Sequence, residues 1–274
     1  MPRVLILSSY VAASRVGGGA QALVLARLGI EPILVPTVLY GRHPGIGPPG
    51  GEPVEPEVFE AMLGGVEAQG LFGALDAAIS GHFSSAEQVA IAAEALTRVK
   101  RASPGARMIV DPIMGDADEG LYVREPVAEA LAAELVPDAD LLAPNAWELA
   151  RLSGRTVDDA ASAVAAARAL GLPTLVSSLA DAGGIGVAYV DAREAWLAVH
   201  ARRRHAPKGT GDLLTAIFAA ALVQGREPAE ALELAVGAVA EAVEVAAAAD
   251  ELPIDALPTA LTPSPLVTLR RLDG

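Results

Sequence analysis

The sequence predicts an α/β fold of three layers, with helices on both faces of a mostly parallel central sheet. Three observations carry this. Short apolar runs such as "RVLILS" (3–8), "EPILVP" (31–36) and "ARMIVD" (106–111) alternate with longer segments of helical period. Those runs are apolar almost throughout, as parallel strands covered on both sides are. Late in the chain, "GIGVAYVDAREAWLAVH" (184–200) reads as a hairpin turning at Asp191 and Ala192, which adds antiparallel strands to the sheet.

The elements follow in order. After the first strand, "GGAQALVLARLG" predicts a helix ending at Gly29. The stretch "GRHPGIGPPGGEPVEP" (41–56) is dense in Gly and Pro and is expected as a loop, one long enough to be functional. It is not a boundary, because the strand–helix alternation continues past it, so residues 1–274 read as one domain. "ALDAAIS" (74–80) is a strand, "SAEQVAIAAEALTRVKR" (85–101) a helix, and "DADLLAPN" (138–145) a further strand. Helices are expected over "AWELARLS" (146–153) and "DDAASAVAAARALG" (158–171), and a strand over "LPTLVSS" (172–178). The run Leu213–Leu222 reads as a buried helix, and a last helix is expected from Pro228 to Ala248.

Composition narrows the function. A hydrophobic fraction of 52% in 274 residues supplies a core and argues against disorder, although aromatics are only 4% and Ala, Val, Leu and Ile must build it. There is no cysteine, which excludes disulfides, thiolate metal sites and thiol nucleophiles and suits a reducing cytoplasm. The opening "MPRVLILSSY" is too short an apolar run for a signal sequence, and no uninterrupted apolar stretch approaches the length of a membrane span. A net charge of -14 repels nucleic acid and anionic membranes. The local exception is "ARRRHAPK" (201–208), either a solvated loop or an offset for a polyanionic ligand.

That basic patch leads into "KGTGD" (208–212), where an irregular stretch becomes a helix. Gly209, Thr210 and Gly211 let the backbone approach a ligand, and a helix start attracts anions. Asp212 there is either a cap or part of a phosphate-handling site. In open α/β sheets ligands bind beyond the carboxyl ends of the strands. Polar groups gather at those ends: Ser8 and Ser9, "SGH" (80–82), "DPIMGD" (111–116), "PNAWE" (144–148), and Ser177 with Ser178. Each has an ordinary turn or cap explanation; together with the glycine turn they outline a cleft.

"DPIMGDADEGLYV", "LLAPNAWELARLSG" and "KGTGD" resemble the successive motifs of pyridoxal kinases, within the ribokinase-like superfamily. "LSSYVAASRVGGGAQALVLARLG" and "PTVLYGRHPGIG" resemble that family's first helix and substrate flap, and the likeness runs from about residue 3 to about residue 225. The resemblance implies transfer of the ATP γ-phosphate to the 5′-hydroxymethyl group of pyridoxal, pyridoxine or pyridoxamine. It implies that Asp212 is the base and that Gly209, Thr210 and Gly211 form an anion hole. Asp111 and Glu148 match positions that organise Mg²⁺, and a monovalent cation such as K⁺ goes with the same family. Asp116, Tyr122, Asn145, Ser177, Ser178 and Lys208 fall on the ATP side; Ser9, Gly18, His43, Pro44 and His82 fall on the acceptor side. A homodimer is implied too.

The chain departs from the family at the acceptor. Gly18 stands where Asn is usual, and Pro44 and Ile46 replace the Thr and Tyr of the flap. Three readings follow: a pyridoxal-type kinase, a sister kinase for another hydroxymethyl heterocycle such as hydroxymethylpyrimidine or for a sugar-like alcohol, and a non-catalytic pyridoxal-binding protein.

Overall fold

The structure is a computed structural model that describes residues 1–272 except 183, 205, 247, 248 and 250. Strand β1 (Arg3–Val11) turns into α1 (Gly17–Arg27) and returns as β2 (Glu31–Tyr40), parallel to β1. Alternate side chains of β1 feed two different cores: Val4 and Ile6 one, Leu5 and Leu7 the other. This is why the run is apolar without a break.

The stretch 41–56 is irregular over most of its length, as expected, with one short strand added. It is the tip of a hairpin: β2 runs on to Tyr40, Pro44–Ile46 makes one 3₁₀ turn, and β3 (Gly51–Pro53) pairs back antiparallel to β2. Glycine makes the return possible. Gly51 has φ +85, and a Cβ there would stand 2.0 Å from the Leu39 carbonyl oxygen. Pro56 then opens α2 (Pro56–Ala68), a helix that the sequence reading did not assign. Its buried residues are only Phe59 and Leu63, and Gly64–Gly65 interrupts its pattern.

β4 (Ala77–Ser80), α3 (Ala86–Ala102) and β5 (Arg107–Val110) match expectation. A small hairpin, β6 (Gly115–Asp116) with β7 (Gly120–Leu121), stands apart from the main sheet. α4 (Glu125–Ala130), also unassigned from sequence, leads to β8 (Leu141–Leu142), α5 (Ala146–Ser153) and α6 (Ala160–Leu170). β9 (Thr174–Asp181) extends three residues past the expected end. The irregularity falls at Ser177–Ser178, where the register with β10 (Gly184–Val190) shifts and Ser178 takes φ 63. β10 and β11 (Ala195–Ala201) form the expected hairpin.

In α7 (Thr210–Val223), every residue from Leu213 to Leu222 is buried. α8 (Pro228–Val245) ends before the expected Ala248, which lies outside the described residues, as does His205 of the basic patch. β12 (Thr268–Arg271), unforeseen and mostly exposed, closes the edge beside β11.

The main sheet runs β12-β11-β10-β9-β8-β5-β4-β1-β2-β3, and the strands from β2 to β9 in that order are parallel. One face packs on α1, α7 and α8; the other packs on α2, α3 and α4, continuing onto α5 and α6. The three-layer expectation holds. Among the described residues no helix is long and apolar enough to cross a membrane.

Candidate active site

Gly209 takes φ 95 and starts α7 with no side-chain cap. A Cβ on Gly209 would lie 2.3 Å from the Arg15 carbonyl oxygen, so glycine is required there. Gly211 differs: a Cβ there would meet nothing within 4 Å. The unpaired N–H groups of the first turn and the positive end of a 14-residue helix thus lie beside open space.

Asp212 does not cap its own helix. Its Oδ2 accepts the Gly17 backbone N–H at 2.8 Å, and its Oδ1 is buried without a partner. Burial pushes this carboxyl up to about 6, against the lowering effect of the Gly17 bond. Gly17 was not singled out from the sequence. Its φ of +60, and the 2.0 Å that would separate its Cβ from Ser9 Oγ, show why glycine stands there.

Asp111, just past β5, is 6% exposed, and its Oδ2 accepts a hydrogen bond from Thr215 Oγ1 at 2.9 Å. Thr215 was also missed. The available signal was its spacing: three residues after Asp212, it lies on the same side of α7. Burial raises the Asp111 carboxyl well above its usual range, and the Glu148 and Asp212 charges raise it further. Glu148 belongs to a capping box with Asn145 at the start of α5. Its Oε2 accepts the Asn145 N–H at 2.9 Å, and its Oε1 accepts the Met114 and Gly115 N–H groups at 2.8 and 3.3 Å. Burial lifts it to about 7 despite these three donors. Clustered, destabilised carboxylates of this kind are relieved by a cation.

Beyond them, Asp116 Oδ1 accepts the N–H groups of Asp118 and Glu119 at 2.9 and 2.8 Å, and its Oδ2 accepts the Tyr122 hydroxyl at 2.6 Å. Burial works to raise this carboxyl, but the three donors outweigh it and hold it below its ordinary value. Asn145 Nδ2 donates to the Gly115 carbonyl at 2.8 Å, and the Ser177 N–H donates to Pro144 at 3.0 Å. Lys208 Nζ lies 2.9 Å from Glu119 Oε1.

On the other side, the His82 N–H donates to Ser8 Oγ at 3.2 Å and its carbonyl accepts Thr37 Oγ1 at 2.7 Å. Its ring Nδ1 is buried without a partner, and burial lowers the imidazole to about 4, so the ring is neutral. His43, on the flap, is near enough to contribute to that lowering. Gln88 of α3 ties both legs of the flap, donating from Nε2 to Thr37 O at 2.9 Å and Val54 O at 2.7 Å. Two of the residues expected on the acceptor side are placed as follows. A Cβ on Gly18 would stand 2.5 Å from Leu34 Cδ1 and 3.3 Å from Ile6 Cγ2, so Gly18 packs against these two side chains of the sheet. Pro44 is exposed at the start of the 3₁₀ turn, and Ile46 is 62% exposed; His43 is the more enclosed flap side chain.

Residues 52–254 match the family model described as phosphomethylpyrimidine kinase. The chain belongs to that family. It is a kinase, a phosphotransferase acting on an alcohol group. This kinase is 38% identical over 238 residues to the pyridoxine/pyridoxal/pyridoxamine kinase of Bordetella avium, covering 84% of this chain and 80% of the relative. It is 34% identical to a pyridoxal kinase of Leifsonia xyli subsp. xyli, covering 86% and 87% of the two chains. Its fold matches the pyridoxal kinase of Leishmania donovani, solved in complex with ADP and pyridoxine, with a TM-score of 0.91 at 25% identity over 99% of each chain. The ribokinase-like expectation stands.

Proposed function

We propose that this kinase transfers the γ-phosphoryl group of ATP to the 5′-hydroxymethyl group of pyridoxal, pyridoxine or pyridoxamine. The observation that carries the reading is Asp212: one carboxylate oxygen pinned by Gly17, the other buried and unmatched, at the mouth of an uncapped helix. The acceptor hydroxyl fits as the missing donor to Oδ1. As its oxygen bonds to the γ-phosphorus and the bond to the β-phosphate oxygen breaks, Asp212 takes the hydroxyl proton. The N–H groups from Gly209, Thr210 and Gly211 stabilise the charge on the transferring oxygens. Asp116, Tyr122, Asn145, Ser177, Ser178 and Lys208 serve the nucleotide, and Ser9, His43 and His82 the acceptor ring. Curated relatives that act on these vitamers, by their names, support the choice of substrate.

Asp111 and Glu148 would hold Mg²⁺. Among the described residues no group of three or more His, Cys, Asp or Glu could hold a metal by itself, and Mg²⁺ suits such a sparse set because it keeps most of its waters. When bound, it neutralises phosphate oxygens. We assign the protein to the cytoplasm, which the absence of cysteine supports. We also assign it as a homodimer. Tyr10 and Leu39 are register partners on β1 and β2, exposed at 42% and 49%. Gly19 of α1 abuts the Tyr10 ring, and Leu23, one turn on, is 46% exposed. A second copy would cover this patch.

The family description names a phosphomethylpyrimidine, so the second reading is a pyrimidine acceptor, with hydroxymethylpyrimidine as its alcohol form. Phosphate transfer from ATP should be measured with pyridoxal, pyridoxine, pyridoxamine and hydroxymethylpyrimidine. The vitamers are expected to give the higher kcat/KM; transfer to the pyrimidine alone would overturn the assignment.

A further inference from the structure

Four elements meet above the glycine turn. Lys208 immediately precedes Gly209, the start of α7. Glu119 lies in the loop of the β6–β7 hairpin, next to the Asp116 carboxylate that holds that loop through the Asp118 and Glu119 N–H groups. His43 comes from the flap, and Glu251 follows α8; the charges felt by His43 are those of Lys208, Glu119 and Glu251. Asp116 also feels Lys208. Within this group Lys208 Nζ and Glu119 Oε1 are in contact at 2.9 Å, so the lysine that immediately precedes the glycine turn is held by a carboxylate of the chain.

We propose that Glu119 is an internal competitor for Lys208: their ion pair straps the β6–β7 hairpin to the glycine turn, and nucleotide phosphate takes the place of the Glu119 carboxylate when it binds. The inference rests on the nucleotide reading of this site. The energetics favour exchange. The Lys208 and Glu119 side chains are 59% and 56% exposed, and pairs so exposed contribute little. A polyphosphate brings more charge and more acceptor oxygens than one carboxylate, and the N–H groups of the first turn of α7 lie beside Lys208 to bind it as well. Glu119 therefore lowers nucleotide affinity by the amount that the pair stabilises the empty site.

The test is ADP binding by calorimetry to the full chain, for the unmodified protein, Glu119→Gln, Lys208→Met and the double variant. Glu119→Gln should tighten Kd about two- to fivefold, the range that exposed ion pairs support. Lys208→Met should weaken it. The double variant should match Lys208→Met, because without the lysine there is nothing to compete for. An unchanged or weaker Kd in Glu119→Gln overturns the inference. So does equal tightening by Glu119→Gln in the Lys208→Met background, which would show plain removal of negative charge. If the unmodified protein binds no ADP, the nucleotide reading itself fails, and that outcome is distinct from the other two.

Discussion

The backbone N–H of Gly17 meets Oδ2 of Asp212 at 2.8 Å, joining the first turn of α1 to the first turn of α7. The start of α1 thereby orients the Asp212 carboxylate. The bond leaves Oδ1 buried and without a partner, and the positive end of α1 favours the ionised form.

If Asp212 removes the acceptor proton, Asp212→Asn should retain ADP binding and lose about 10²–10⁴ in kcat. Turnover near that of the unmodified enzyme would show that the carboxylate has another role.

The same assignment sets a pH dependence. Burial raises the carboxyl to about 6, and only the ionised form accepts a proton. Activity should therefore be present above pH 6 and fall as pH drops through about 6. The measurement is kcat/KM against pH, which reports the free enzyme. An acid limb near the ordinary aspartate value would mean that another group is the base.

Gly17→Ala should disturb this arrangement directly. The new Cβ would lie 2.0 Å from Ser9 Oγ and 2.8 Å from the Ser9 carbonyl oxygen, at a φ of +60. We expect a fall in kcat of about tenfold or more, the scale of one well-placed catalytic hydrogen bond. The acid limb should move to higher pH as the bond that lowers the Asp212 pKa is lost.

The two glycines of the turn should separate stability from chemistry. Gly209→Ala forces a side chain into φ +95, 2.3 Å from a carbonyl oxygen, and should cost about 1–3 kcal/mol of stability in denaturant melts. Gly211→Ala meets open space and should melt like the parent. It should nonetheless raise KM for ATP, because the phosphate must approach that backbone. Unaltered ATP kinetics in Gly211→Ala would show the turn to be only a helix start.

His43→Ala should raise KM for pyridoxal while leaving KM for ATP nearly unchanged, since His43 is the flap residue whose charge reaches His82. For assembly, sedimentation should give twice the 27.9 kDa chain mass. Leu23→Asp with Leu39→Asp should reduce it to one chain; a parent that already sediments as one chain refutes the dimer.

Much of this protein was legible in its sequence. Unbroken apolar runs determined the parallel strands, and the glycine turn before an all-apolar stretch marked α7. The ordered motifs singled out Asp111 just past β5, Glu148 in the first turn of α5 and Asp212 in the first turn of α7 as candidates. Few buried residues left weak patterns in α2 and β12, α4 has only 6 residues in which to show a period, and the glycine-dense flap hid its hairpin pairing.

What only the tertiary structure decided is what each polar atom faces. Asp212 as a cap and Asp212 as a base read identically along the chain. The Gly17 N–H, 195 residues away, holds Oδ2, and Oδ1 is buried with no partner, so the capping role is absent and the base role is the proposal that is left. The same holds for Thr215 against Asp111, for Glu119 against Lys208, and for Gly18, whose missing side chain answers to Leu34 and Ile6. Periodicity is local and survives in sequence; hydrogen-bond satisfaction and close contact join distant segments and exist only once the sheet has brought them together.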